Sequence, residues 1–290
     1  MNKKNAFSLM ELAVVLSIVA IVVAGMIEGS RLIAKSKLAT ARTITKGSPV
    51  SSFKSLAFWL ETTSEKSFLD SEVVDEGSIT AWYDINPVTT TPKSAASSGV
   101  NRPTYIANCI VSLPCLRFSG SNFMDTENLR INSTSISYFI VLKPTELPTA
   151  SDASLISTEG EYSTITNSVQ FKIKSGSNQG KIEFIAANGT QDLFSTSVIA
   201  ADNFYIISAL DNGSNVKFFI NGTAAGGPYS SPYANKTLEV VNIGSFNDGT
   251  TRVNFFKGDI GEIIIFDEEL KAVDRQYIED YLSKKWHFRY

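Results

Sequence analysis

Histidine occurs once in these 290 residues, at position 287, and cysteine twice, at 109 and 115. That scarcity excludes most His- and Cys-rich metal centres, which must gather three or four such ligands. It also argues against a histidine-based catalytic triad, because a single imidazole is on offer. His287 follows Lys284, Lys285 and Trp286 and reads as structural. Excess positive charge is missing too. Lys plus Arg number 26 and Asp plus Glu 29, for a net charge of −3, so nucleic acid is not an expected partner. No internal repeat of roughly 20–50 residues is visible, which excludes solenoids and propellers. The length suits one large domain or two small ones, and an apolar content of 43% can supply an ordinary core.

Charge is unevenly spread. The stretch FSLMELAVVLSIVAIVVAGMI, residues 7–27, is apolar except for Glu11. At about 21 residues it can cross a bilayer as a helix. Lys3 and Lys4 precede it, which keeps the short N-terminus cytoplasmic and puts the remainder across the membrane. A carboxylate in hydrocarbon is costly, so Glu11 should have a partner. A cleaved secretory signal fits poorly, because the run is too long and no small-x-small site follows. A plain signal anchor leaves Glu11 unexplained. The helical pattern continues through Leu32, Ile33, Leu38, Ala41 and Ile44. Arg31, Lys35, Lys37, Arg42 and Lys46 lie between them as a solvated or headgroup-facing side, and Gly47 and Pro49 supply a stop. Residues 7–46 therefore form one rod of about 60 Å at ~1.5 Å per residue, followed by a linker over 48–55.

The stretch KKNA-FSLMEL resembles the class III signal of type IV pilins and pseudopilins, with Ala6 where that family usually has glycine. The resemblance implies a leader of residues 1–6, removed by a prepilin peptidase between Ala6 and Phe7, and N-methylation of Phe7. It implies that Glu11 pairs with the N-terminal amine of a neighbouring subunit, which supplies the missing partner. The implied partners are other pilin subunits, the peptidase and the inner membrane. The implied location is the inner membrane, then an extracellular filament or a periplasmic pseudopilus. Ala6 keeps a small residue but puts the efficiency of cleavage in question.

Beyond residue 55 short β-rich runs alternate with Gly, Asn, Asp and Ser clusters. Strands are expected at 56–60, 78–85, 114–120, 136–143, 168–175, 181–187, 203–210, 215–221, 238–246 and 255–268, a pattern that argues for a sandwich. Asp211, Asn212 and Gly213 read as a hairpin turn that sets Val216, Phe218 and Ile220 on one side. A terminal helix over 270–286 places Val273, Tyr277 and Tyr281 at i, i+4 spacing, beside Ile278 and Leu282, with polar residues opposite. Lys271 stands where a Ser or Thr cap is expected, and Trp286 is expected to pack this helix on the sandwich.

The order of LAFWLE, SITAWYDI, RPTYIAN, LRFSGSNFMDT, NVKFFINGT, VNIGSFNDG and FFKGDIGEIIIFDEELKAVDRQYIEDYLSKKW resembles the concanavalin A-like, laminin G-like jelly rolls. The implied fold class is α+β. A long membrane or filament helix precedes a mainly antiparallel sandwich over 56–290 with a short C-terminal helix. Members of that superfamily bind glycans, proteins or calcium, and some are hydrolases, so the ligand stays open. The strand reading E-x-D-x-E of jelly-roll glucanases is not matched, because Glu262 and Asp267 are five apart and face opposite ways. No enzymatic activity is expected. A ligand site belongs on rim loops or on the concave face. Tyr229 and Tyr233 could stack on sugars. Asn247 and Asp248 could hold a hydroxyl or calcium, although ordinary turn chemistry accounts for both loops. Outside the membrane, Cys109 and Cys115 would form a small-loop disulfide contributing about 2–2.5 kcal/mol. In a reducing compartment they would be two buried thiols.

Glu11→Ala is expected to leave membrane insertion intact and to block incorporation into filaments. Membrane fractionation and immunogold labelling of sheared filaments check this, and normal incorporation would sink the pairing argument.

Overall fold

The computed structural model describes residues 9–91, 93–126, 129, 131–158, 169–186, 193–230, 236–238 and 240–286. The predicted leader, Phe7 and His287 lie outside them.

The first helix, α1, runs from Leu9 to Lys46. Its first half is apolar all round, and Leu12, Val15, Ile18 and Val22 are all exposed. A helix of this kind needs lipid or other helices around it. Its most apolar window has a mean hydropathy of 2.6 and no burial, so it is long and apolar enough to cross a membrane.

The last turns of α1 dock on the sandwich, where Ala41 and Thr45 are buried. Arg42 donates from Nε to the Thr63 carbonyl at 2.8 Å and from Nη1 to Glu65 at 2.6 Å. Lys37 donates to the Val111 carbonyl and the Ser112 hydroxyl. These two cations, expected on a solvated face, instead tie the rod to the head. The 48–55 segment is packed as well. It forms a tight turn over Pro49–Ser52 with Val50 buried, and Phe53 meets the Phe266 ring edge-on at 5.5 Å.

Two antiparallel sheets follow. The strand Lys257–Phe266 is central to the first. It pairs with Ile136–Pro144 on one side, and with Leu113–Ser119 and then Leu56–Glu61 along the other. Tyr205–Asp211, Asn215–Ile220 and Thr223–Ser230 extend one wing, and Thr104–Ile110 and Gly77–Ser78 the other. The second sheet runs in the order Leu193–Val198, Lys181–Ala186, Val169–Ile173, Ala153–Thr158, Val241–Ile243, Met124–Thr126, Ser94–Ala96, Ala81–Tyr83. Tyr138, Ile140, Phe171, Phe184, Phe218, Ile243 and Ile263 fill the core between the sheets. A second apolar cluster lies outside the first sheet. There Phe139, Val141, Ile264 and Phe266 meet Ala41 of α1 and the second helix. The Ile136–Pro144 strand is thus covered on both faces, which is why its Tyr138–Leu142 centre reads as an unbroken apolar run.

The predicted hairpin forms. Gly213 takes φ +85° and donates its N–H to Asp211 Oδ1 at 2.7 Å, and Val216 and Phe218 are buried. Elsewhere the strand expectations are corrected. The 78–85 run breaks into Gly77–Ser78 and Ala81–Tyr83, which join different sheets. The 238–246 run breaks into three short strands. Ala153–Thr158 and Leu193–Val198 are strands the pattern missed, because Ser and Thr fill their polar positions. Thr223–Ser230 was hidden by its glycines and proline, which an edge strand tolerates.

The second helix, α2, spans Ala272–Lys285, with Lys271 at an N-cap that makes no side-chain bond. Its buried face is rotated from the predicted stripe. Val273 and Tyr277 are exposed, whereas Ile278, Tyr281 and Leu282 are buried together with Arg275, Glu279 and Lys285. The polar residues go inward because the sheet beneath carries partners for them. Glu279 accepts from Ser208 at 2.8 Å and from Arg275, whose guanidinium lies 3.8 Å from the Phe219 ring.

Glu262 receives four donors. Trp59 Nε1 and the Tyr281 hydroxyl donate to Oε1 at 2.8 and 2.7 Å; Lys285 Nζ and Trp286 Nε1 donate to Oε2 at 2.9 and 2.8 Å. Lys285 also reaches Glu61 at 2.8 Å. Burial opposes the Lys285 ammonium, but the two carboxylates outweigh it and hold its pKa above the ordinary value. Gly261 is required here, since a Cβ would sit 2.5 Å from the Trp286 ring.

Lys285→Met is expected to destabilise the fold by about 3–5 kcal/mol, because it strands two buried carboxylates. Chemical denaturation measures this. Burial also pushes the Asp84 carboxyl up to about 6 from 3.8, against N–H bonds from Asn86 and Trp59. The folded state then holds an extra proton between these values, so stability falls as pH rises through about 4 to 6. Asp84→Asn keeps the acceptor oxygen. It should raise the urea midpoint at pH 7.5 and leave it unchanged at pH 4.

Candidate functional site

The centre of the first sheet's outer face is covered by α1 and α2, so it offers no open platform there. The outer face of the second sheet carries polar residues in register. Strand pairing aligns Ala96, Asp125, Asn242, Ser157 and Gln170 in one row. Ser154, Lys172, Glu183 and Phe194 form a second row. Their chain neighbours Met124, Val241, Ile243, Ile156, Phe171 and Phe184 face the core, so the period of two fixes these polar groups outward.

The first row forms a connected set. Asn242 Nδ2 donates to Asp125 Oδ1 at 2.7 Å, and Arg252 Nη2 donates to Asp125 Oδ2. The Arg252 guanidinium stacks 3.6 Å from the Phe123 ring and donates from Nη1 to the Ser245 hydroxyl at 3.1 Å. Asp125 and Arg252 keep 29% and 20% of their side chains exposed, so a ligand can reach them. Among the described residues, Asn242 Oδ1 and Gln170 Nε2 are buried with no hydrogen-bond partner. Asn242, Ser157 and Gln170 are themselves buried, so the part of the row open to a ligand is Asp125 and Arg252.

The second row is ionic. Lys172 bridges Asp152 and Glu183 at 2.9 Å each, and Lys174 joins Asp152 at 3.0 Å. Burial raises the Asp152 carboxyl, but bonds from Lys172, the Ser175 N–H and Lys174 prevail and hold it well below its ordinary value. The Lys174 and Lys181 ammonium groups lie 5.7 and 5.8 Å from the Phe194 ring.

The predicted site residues fare differently. Asn247 and Asp248 sit on the hairpin that delivers Arg252, since Phe246 and Asn247 pair with Val253 and Arg252. Asp248 is spent inside that hairpin. Thr250 and Thr251 each donate an N–H and a hydroxyl to it, and the two N–H bonds are what chiefly lower its pKa. Asn247 Oδ1 likewise accepts the Gly249 N–H at 3.2 Å. The Tyr229 ring packs on Phe218 at 6.2 Å against the inter-sheet core. Tyr233, like Ala6 and Phe7, lies outside the described residues. Glu11 stands in the first described turn of α1. Cys109 and Cys115 are joined, with Cα atoms 5.7 Å apart. Together with Asp259 they are the one Cys–acid group close enough for a metal among the described residues. Their sulfurs are spent on each other, and Asp259 is bidentate on Arg117. The sequence reading missed Asp125, Asn242, Gln170 and Arg252. The available signal was a lone polar residue between core-facing apolar ones, as in VNI and VQF.

Residues 118–274 match the family described as the concanavalin A-like lectin/glucanases superfamily, and residues 1–27 match the prokaryotic N-terminal methylation motif. No curated protein matches the chain. Among solved structures, domain 4 of AbnA, a GH43 extracellular arabinanase from Geobacillus stearothermophilus in complex with arabinotriose, is similar with a TM-score of 0.54 and 14% identity, covering 78% of this chain and 97% of that one. A Trypanosoma rangeli sialidase complexed with 2,3-difluorosialic acid is similar with a TM-score of 0.50 and 8% identity, covering 80% of this chain and 33% of that one. This chain therefore corresponds to about a third of the sialidase's length, and identities this low speak to fold alone.

Proposed function

This chain belongs to the concanavalin A-like lectin/glucanases superfamily and carries a type IV pilin signal, and on that premise we propose that it is a modular pilin whose head binds saccharide in adhesion. The observation that carries the reading is the pairing of an exposed apolar rod, α1, with a sandwich whose outer face holds the Asp125–Asn242–Arg252 set. The rod enters the filament, and the head is displayed at its surface or tip. A head of this bulk suits a low-copy position better than every position of a filament.

The saccharide reading rests on the chemistry of the row. A partly exposed carboxylate and guanidinium, Asp125 and Arg252, stand side by side, an acceptor and a donor that suit vicinal hydroxyls. The arabinotriose complex of the similar arabinanase domain supports it by analogy. Binding fits better than hydrolysis. A glycosidase pairs a protonated carboxyl with a second carboxylate. Here Asp125 is engaged by Arg252 and Asn242, and Asp152 is held ionised by lysines.

The full chain in detergent should bind a subset of oligosaccharides on an array that includes arabinan and sialylated glycans. Arg252→Met should weaken that binding by about tenfold or more, the equivalent of one charge-assisted hydrogen bond. Unaltered affinity in the folded variant would move the site elsewhere. Silence across the array would leave a protein ligand, a secretion pseudopilin or a purely structural head.

A further inference from the structure

The Lys285 cluster holds more than packing requires. Glu61 and Glu262 are direct partners on neighbouring strands, a placement that is destabilising for like charges. Lys285 Nζ reaches Oε2 of each, at 2.8 and 2.9 Å, and all three side chains are fully buried. The ammonium lies 5.3 Å from the Trp286 ring and 5.7 Å from the Tyr281 ring, so aromatic groups wall it from water.

The two carboxylates are not equivalent. Both oxygens of Glu262 are filled by donors. Glu61 is lopsided. Its Oε2 accepts from the Thr63 N–H at 2.7 Å and the Thr63 hydroxyl at 2.6 Å, in addition to Lys285. Its Oε1 is buried with no hydrogen-bond partner among the described residues. A carboxylate oxygen without water or a donor is costly. The Trp82 indole N–H fixes the backbone here, donating to the Glu61 carbonyl at 2.9 Å.

We propose that Lys285 and Glu61 condense into an intramolecular amide, with Glu262 as the proton carrier. One Nζ proton first neutralises Glu61. The neutral carboxyl holds that proton on Oε1, because the Thr63 donors occupy Oε2. Nζ then attacks Cδ of Glu61 while Glu262 Oε2 takes a second proton from it. The negative charge that develops on Oε2 of Glu61 lies between the Thr63 N–H and hydroxyl, which serve as an oxyanion hole. Glu262 returns its proton to Oε1, the Cδ–Oε1 bond breaks, and Oε1 leaves as water. Of the three ammonium protons, two depart on that water and one stays on the amide nitrogen. No oxidant, reductant or co-reactant enters.

The product fits the site better than the reactants do. Two buried charges and one unpartnered oxygen disappear. The amide carbonyl keeps both Thr63 donors, and the amide N–H replaces the ammonium as a donor to Glu262. The neighbouring carboxylates favour the ammonium over the free amine, but the reaction happens once per molecule. The groups are also held in contact, and such proximity supplies an effective molarity of about 10⁵ M or more. The bond ties the strand Leu56–Glu61 to the last residue of α2, across a sequence separation of 224. The rod runs into that strand through residues 47–55, so a pull on the rod passes directly into the terminal helix. This holds whether or not the head binds saccharide.

The test is mass spectrometry of the full chain, purified in detergent, denatured and digested with trypsin. The wild-type digest should contain residues 55–66 joined to residues 285–289, short of their summed mass by one water and with Lys285 uncut. Glu262→Gln keeps both reacting groups and removes the proton carrier. In that variant, with its fold checked by circular dichroism, the joined peptide should fall by about tenfold or more, as loss of a general acid–base group predicts. A free 55–66 peptide and full cleavage after Lys285 in the folded wild-type chain would overturn the proposal. An equal yield of joined peptide from folded Glu262→Gln would overturn the part assigned to Glu262.

Discussion

The carboxylate of Glu262 organises the covered side of the molecule. It sits on the central strand of the first sheet and accepts from Trp59, Tyr281, Lys285 and Trp286. Those donors come from the first strand of the sandwich and from the last helix. An ionised group without water must have its lone pairs filled, so the terminal helix can settle in one place only. Tyr281 also lies 3.5 Å from Thr45 of α1. Rod, sheet and terminal helix therefore share one polar network, which sets the direction in which the rod leaves the head.

The disulfide turn reinforces that direction. Val111 and Ser112 both adopt positive φ between the bridged Cys109 and Cys115, a conformation costly for a β-branched residue. The turn presents the Val111 carbonyl and the Ser112 hydroxyl to Lys37. With Arg42 on Thr63 and Glu65, the rod is gripped from two sides over its final turns. The rod therefore enters the head through a stiff junction. The packed Val50 and Phe53 give the nominal linker little slack.

The two sheets divide the labour. The first has both faces of its central strands buried and serves as scaffold. The second packs one face on the core and leaves the other for polar chemistry. That asymmetry accounts for the Gly258–Glu262 stretch, where Gly258 and Gly261 allow close approach and Glu262 anchors the helix. It also explains why a binding reading falls on the second sheet. There the polar groups meet one another laterally and retain unpartnered amide atoms.

The rod, the position of Glu11, the antiparallel sandwich and the long central strands were legible in the sequence, because each is written in local periodicity. The sequence marked Asn247 and Asp248 as a loop, and the structure makes it a hairpin beside the Asp125–Asn242–Arg252 set. What it contributes was not legible. Asp248 spends its oxygens on the turn, while Arg252, four positions on, carries the charge to the row. The rotated face of α2 was hidden because Arg275, Glu279 and Lys285 look like a solvent face until Ser208, Glu61 and Glu262 lie beneath them. The polar rows were hidden for the same reason. Asp125, Asn242, Ser157 and Gln170 come from four separate strands. Sequence periodicity sets which face each residue takes, but only cross-strand register brings them into one line.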